Sequence, residues 1–223
     1  SIGLDLSAKS NLFIAYLVTT NLADGGATVT VYGNQAPKIS TKRPVEIDTR
    51  SIPVEETVVL SPRTAIREEG LTDRYEDFIK FCRLYEINQI LYRQTQSKIG
   101  FITSGMAYSY LEHALYELGL QGKFPILKFG ATYPLDEDLL FEFAEPLNQI
   151  FVIEERRDFL ESQATLLFKN FYQSGKLKKQ IEIWGKQFPH GLTGIPSTRG
   201  LNPSLLIEYL APLFLKLGAN LPV

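Results

Sequence analysis

Between Lys98 and Gln163 short apolar runs alternate with amphipathic stretches, and small or polar residues mark each change. Ile99 to Thr103 is apolar and rich in β-formers, and Thr103-Ser104-Gly105 turns it into a helical pattern. Met106, Tyr110, Leu111, Ala114, Leu115 and Leu118 then recur on one helix face, and Gly119 closes it. Phe124 to Phe129 is the next strand, followed by a turn through Gly130-Ala131-Thr132-Tyr133-Pro134-Leu135. Asp136 is placed to cap a helix reaching Ala144, with more acids in its first turn where the helix dipole favours them. Gln149 to Ile153 is a third strand, and it ends in Glu154-Glu155. A helix from Arg157 or Asp158 to about Tyr172 and a short strand over Ile181–Trp184 complete the series. Strands joined by helical crossovers run parallel, and right-handed crossovers put helices on both faces of the sheet. The expected fold class is therefore α/β, a three-layer α/β/α arrangement with a mostly parallel twisted sheet.

The flanks are less regular. Leu12 to Thr19 is a nearly continuous apolar run and reads as a buried strand. Thr28–Tyr32 alternates as a second strand, Asn34 to Arg50 reads as a surface loop, and Thr57–Leu60 reads as a short strand. Ser61-Pro62 opens a helical region that Gly70 interrupts. From Leu71 to Leu91 apolar residues recur at helical spacing, which predicts one long amphipathic linker helix. Asn202 is placed to cap a last helix reaching about Leu217, which Pro212 should kink or end early. The expected organisation is residues 1–60 as connecting strands, 61–96 as linker helices and 97–223 as the α/β domain.

A formal charge of −2 leaves no electrostatic footprint for nucleic acid. No apolar run approaches the ~20 residues of a membrane span. Cys82 is the single cysteine, so neither an intrachain disulfide nor a multi-cysteine metal site can form, which fits a cytoplasmic protein. His113 and His190 are far apart and lack a ligand pattern for zinc.

Three turns could carry chemistry. Thr103-Ser104-Gly105, with Tyr108 following, presents free N–H groups suited to an anion, or simply permits a tight strand-to-helix turn. It has neither the spacing of a P-loop nor that of a dinucleotide fingerprint. Tyr133 stands in a turn at the carboxyl edge of the sheet, where ligands bind in open α/β folds, and either faces a ligand or partner or packs. Glu154 and Glu155 leave their strand in opposite directions. One can cap or pair with Arg156 or Arg157 while the other bonds backbone, and a proton-transfer role is the alternative. Ser104, Gly105, Tyr108, Tyr133 and Glu155 are the candidate ligand- or interface-facing residues. His190, in an irregular Gly/Pro loop, completes no nucleophilic site.

Three segments together resemble a known family. They are Lys98 to Tyr108 (KIGFITSGMAY), Ile126 to Leu135 (ILKFGATYPL) and Phe151 to Glu155 (FVIEE). They are similar to the middle, transketolase C-terminal-like domain of indolepyruvate:ferredoxin oxidoreductase alpha subunits. More broadly, they resemble that domain in thiamine diphosphate-dependent 2-oxoacid oxidoreductases. The close match covers about a third of the chain. The resemblance implies a multi-domain enzyme that decarboxylates an aryl 2-oxoacid on thiamine diphosphate and Mg2+. Iron–sulfur clusters would pass electrons to ferredoxin, and the acyl group would go to coenzyme A. It also implies contacts with other domains of the same subunit and with a second oxidoreductase subunit, and self-association as a homo-oligomer. Leu12–Thr19 would then be the last piece of a preceding pyrimidine-type domain.

The chain departs from that family in what it lacks. It has no Gly-Asp-Gly motif to hold magnesium and diphosphate, and no cluster cysteines. Its start and end fit a piece of a longer polypeptide. The expectation is a non-catalytic support domain that by itself holds no cofactor. The alternatives are a stand-alone α/β small-molecule- or nucleotide-binding protein, or an enzyme using the Glu154-Glu155 and His190 edge.

Overall fold

The computed structural model describes residues 2–18, 23–26, 28, 50, 61, 63–93, 95–219 and 221. The chain divides into two compact units, 1–78 and 79–223.

In the first unit α1 spans Ile2–Ser10, with Leu6 buried and the Ser10 hydroxyl donating to the Leu6 carbonyl at 2.7 Å. The strand expected over Leu12–Thr19 does not form. Residues 12–18 are irregular, and Phe13, Tyr16, Leu17 and Val18 are exposed. An apolar β-forming run becomes a strand only where another strand pairs with it, and no described residue does so. The strands expected over Thr28–Tyr32 and Thr57–Leu60 and the loop Asn34–Arg50 lie almost wholly outside the described residues. Helix α2 spans Arg63–Glu69, Gly70 interrupts, and α3 runs over Leu71–Leu84, beginning in the first unit and ending in the second.

The long linker helix expected to reach Leu91 stops seven residues early. Glu86 takes a left-handed φ of 51°. Its N–H donates to the Arg83 carbonyl at 3.1 Å, and that of Ile87 donates to the Cys82 carbonyl at 2.9 Å. This pair of bonds is a Schellman ending, made here without the usual glycine. Ile87, Ile90 and Leu91 suit a helix by spacing alone, yet Gln89–Leu91 forms strand β1.

The remaining elements follow the expected alternation. They are β2 (Ile99–Ser104), α4 (Gly105–Glu117), β3 (Ile126–Phe129), α5 (Glu137–Ala144), β4 (Gln149–Ile153), α6 (Phe159–Gln173), β5 (Glu182–Trp184) and α7 (Pro203–Lys216). The strand order is β1-β3-β2-β4-β5. Strands β2 to β5 are parallel, and β1 lies antiparallel against β3.

Alternate residues of each strand serve opposite faces. Phe101, Ile126, Phe151 and Ile153 pack under α4 and α7, where Phe101 also meets Phe214 at 6.2 Å between ring centroids. Ile102, Leu127, Phe129, Ile150 and Val152 pack under α5 and α6. Both layers are closed off from water, which is the expected consequence of strands apolar on both sides. Helix α7 is capped by Asn202, whose Oδ1 accepts from the Leu205 N–H at 2.9 Å. It runs through Pro212 to Lys216 rather than ending early. Pro212 is exposed, on the solvent side of the helix. Among the described residues no helix is long and apolar enough to cross a membrane.

Candidate functional site at the carboxyl edge of the sheet

Strands β2 and β4 are neighbours, with Thr103 opposite Ile153. The helix after β2 packs on one face and the helix after β4 on the other. Chains leaving adjacent strands toward opposite faces open a crevice at their carboxyl ends, the usual ligand position in such sheets.

On the β2 side, Ser104 is the N-cap residue of α4, with extended backbone, and its side chain makes no capping bond. Gly105 is exposed and takes a φ of +52°, which a residue with a side chain adopts only with strain. A Cβ there would meet nothing within 4 Å, so open space borders the turn. Tyr108 is half-buried, and the Lys128 ammonium lies 4.4 Å from its ring centroid. Burial, and then the nearby Glu112 carboxylate, hold the Tyr108 phenol above its ordinary pKa.

On the β4 side the two acids have separate tasks. Glu154 is buried, and its carboxylate accepts from the Leu160 N–H at 2.8 Å and the Glu161 N–H at 3.0 Å. It therefore caps α6. Burial raises its pKa, against the lowering effect of those two N–H groups and of Lys186. With both oxygens held by backbone amides, Glu154 is poorly placed to exchange a proton with a substrate. Lys186 donates to the Glu154 carbonyl at 3.0 Å, and burial lowers its pKa. The Lys186 N–H donates to Glu161 at 2.9 Å. Glu155 is exposed, with Arg156 Nε 4.0 Å from its Oε1, and a Cβ on Gly200 would lie 3.5 Å from the same oxygen. Arg156 itself takes a left-handed φ of 63°.

The β3 turn belongs to the other side. Asn88 Oδ1 accepts from the Gly130 and Ala131 N–H groups, each at 3.0 Å. Gln163 Nε2 donates to the Thr132 carbonyl at 3.2 Å, holding the turn against α6. Tyr133 is exposed on that turn. Ser104, Gly105 and Tyr108 thus stand where β2 passes into α4, Glu155 follows the end of the neighbouring strand β4, and Tyr133 lies on the β3 turn held against α6. His190 is exposed on the short turn Pro189–Gly191.

Sequence marks Thr103 as part of its turn but shows neither its burial nor its neighbour Lys128. Thr103 is wholly buried, and its hydroxyl has no hydrogen-bond partner among the described residues. Lys128 stands beside it in register on β3. The visible signal was a polar residue at the end of each strand, but only the register makes them neighbours. A second missed cluster supports the fold: Arg83 Nε and Nη2 reach the wholly buried Asp136 at 2.7 and 2.5 Å, and Asp136 caps α5 through the Leu139 N–H at 3.1 Å.

Among the described residues no group of three or more His, Cys, Asp or Glu side chains is placed to hold a metal ion. Cys82 is buried, and desolvation, with Asp136 adding to it, pushes its thiol up to about 11. A single protonated thiol does not fit an iron–sulfur cluster, which takes several thiolates.

The chain matches the model of one protein family, the indolepyruvate oxidoreductase domain, over residues 89–220. Among curated proteins, the indolepyruvate oxidoreductase subunit IorA of Methanothermobacter marburgensis is 33% identical over 109 residues, covering 48% of this chain and 17% of that protein. The same-named subunit of Archaeoglobus fulgidus is 26% identical over 221 residues, covering 98% of this chain and 33% of that one. A solved 2-oxoglutarate:ferredoxin oxidoreductase from Magnetococcus marinus aligns with a TM-score of 0.42 at 11% identity, over 70% of this chain and 24% of its own. The chain thus spans between about a sixth and a third of the length of the curated relatives named here.

Proposed function

The chain belongs to the indolepyruvate oxidoreductase domain family, and from that membership we propose that it serves as a support domain within a thiamine diphosphate-dependent 2-oxoacid:ferredoxin oxidoreductase. The larger enzyme would oxidatively decarboxylate an aryl 2-oxoacid of the indolepyruvate type to an acyl-CoA. The family match over residues 89–220 carries this reading, together with the small share of each relative's length that the chain spans.

The chain's own residues favour a supporting rather than a catalytic part. The buried acid at the end of β4, Glu154, has both oxygens bonded to backbone amides of α6. One cysteine cannot supply an iron–sulfur cluster, and the sequence has no Gly-Asp-Gly motif for diphosphate and magnesium. A single cysteine does not fit a cluster and the missing motif does not fit thiamine diphosphate with Mg2+, so those groups are proposed to lie in other parts of the larger enzyme, which would also use coenzyme A. Neighbouring domains of the same subunit, a second subunit, ferredoxin and a second copy of the enzyme are its proposed partners. Glu155 and Tyr133, both exposed at the carboxyl edge, are the residues proposed to face neighbouring domains. The surroundings proposed are cytoplasmic.

Isothermal titration of the 223-residue chain with thiamine diphosphate and Mg2+ tests the division of labour. No saturable heat is expected at micromolar cofactor. Micromolar binding would place cofactor chemistry in this domain and overturn the supporting role.

A further inference from the structure

We propose that the start of α4, together with Lys128 and Thr103, binds an oxyanion of the phosphate or carboxylate class. The site stands on this chain's own residues and holds whether or not the domain works inside a larger oxidoreductase.

The first observation is an unanswered helix start. The three other helices packed on the sheet are capped by side chains: α5 by Asp136, α6 by Glu154 and α7 by Asn202. Helix α4 has no side-chain cap and no acid in its first turn. Its first N–H groups and the positive end of its dipole therefore stand at the sheet edge without a side-chain acceptor among the described residues. Gly105 leaves open space beside them.

The second observation is independent of the helix. The Thr103 hydroxyl is wholly buried and has no partner among the described residues. A buried polar group left unpaired costs stability, and each such case asks for a ligand or water. Strand alternation puts Thr103 on the same face as Phe101, under α4, two residues before that helix begins.

The third is a charge. Lys128 pairs with Thr103 in the β2–β3 register, so both side chains rise on the same face. Its ammonium is drawn to the Tyr108 ring, which fixes it beside the first turns of α4. No carboxylate among the described residues forms an ion pair with it.

Backbone amides, an ammonium and a hydroxyl share one property: each can donate to an acceptor. Such a set selects a ligand with several acceptor oxygens and negative charge, and it rejects cations. An oxyanion drawn to the amides and the ammonium supplies the acceptor that the Thr103 hydroxyl lacks.

The test is an NMR titration of backbone amides in the 223-residue chain, with sodium phosphate in one arm and sodium acetate in the other. Sodium chloride at equal ionic strength is the control. Saturable shifts are expected at Gly105, Met106, Ala107 and Tyr108 in at least one oxyanion arm and not with chloride; the responding arm identifies the class. Thr103→Val and Lys128→Met are each expected to weaken binding about tenfold, the loss of one charged hydrogen bond. Thr103→Val is expected to melt no lower than the wild type, since it removes an unpaired buried hydroxyl at nearly constant shape, so its loss of binding is not a loss of fold. Absence of saturable shifts at these amides, equal shifts with chloride, or undiminished affinity in either variant would overturn the proposal.

Discussion

Replacing Asp136 tests how the sheet domain is held together. Its side chain is wholly buried and has two roles: it accepts two bonds from Arg83 and caps α5 through the Leu139 N–H. Asp136→Ala removes both. Loss of the cap accounts for about 1 kcal/mol. Loss of the charged hydrogen bonds adds about 2 kcal/mol, discounted because Arg83 stays half exposed and water solvates it again. The total is about 3 kcal/mol, or a fall of roughly 1–2 M in the urea midpoint for a domain of this size. Asp136→Asn keeps an acceptor for the Leu139 N–H and should lose only about 2 kcal/mol. Arg83→Met leaves a buried carboxylate without its partner and should cost at least about 3 kcal/mol, although Arg83 is the more exposed of the two. Trp184 is the single tryptophan and lies on β5 of the same sheet, so its fluorescence follows this unit alone. A midpoint shift under about 0.3 M for Asp136→Ala at unchanged slope, or a silent Arg83→Met, would refute this account.

Further perturbations probe other parts of the same unit. A Cβ at Gly130 would come within 2.5 Å of the Ile87 carbonyl oxygen, so Gly130→Ala should lose about 2 kcal/mol in urea unfolding, the cost of forcing atoms into a filled site. Burial raises the Glu154 pKa, so the native state holds that proton more tightly than the unfolded chain, whose ordinary value is 4.5. The Glu154 contribution to stability should therefore fall as pH rises from 4.5 through the raised folded value, and Glu154→Gln should flatten that slope when urea midpoints are compared across pH. With its thiol raised to about 11 and buried, Cys82 should resist aromatic disulfide reagents at pH 8 in the native protein and react promptly in urea.

Much of the sheet domain could be read from sequence because its signals are local. Gly119 at the end of α4, Asp136 at the start of α5 and Asn202 at the start of α7 act within one helical turn, and all three lie where the spacing put them. Non-local features were not legible. The segment from Ile87 to Leu91 carries a helical period, but a Schellman ending at Glu86 and an open edge on β3 make part of it a strand. Leu12 to Val18 has strand composition, and composition supplies no pairing partner. The candidate site divides in the same way. Ser104, Gly105 and Tyr108 lie at the sheet edge as their turn implied. The separation of Tyr133 from them depends on which face each turn joins, and the pairing of Thr103 with Lys128 depends on strand register.

The proposed supporting role is tested most directly with the larger enzyme in which this chain would lie, purified with the subunits proposed to accompany it. Reduction of ferredoxin or a viologen dye would be followed with an aryl 2-oxoacid, coenzyme A and thiamine diphosphate, beside the 223-residue chain alone. The expected result is substrate-dependent reduction by the complete enzyme and none by the isolated chain. Turnover by the 223 residues alone, or a complete enzyme that is inert toward every aryl 2-oxoacid offered, would contradict it.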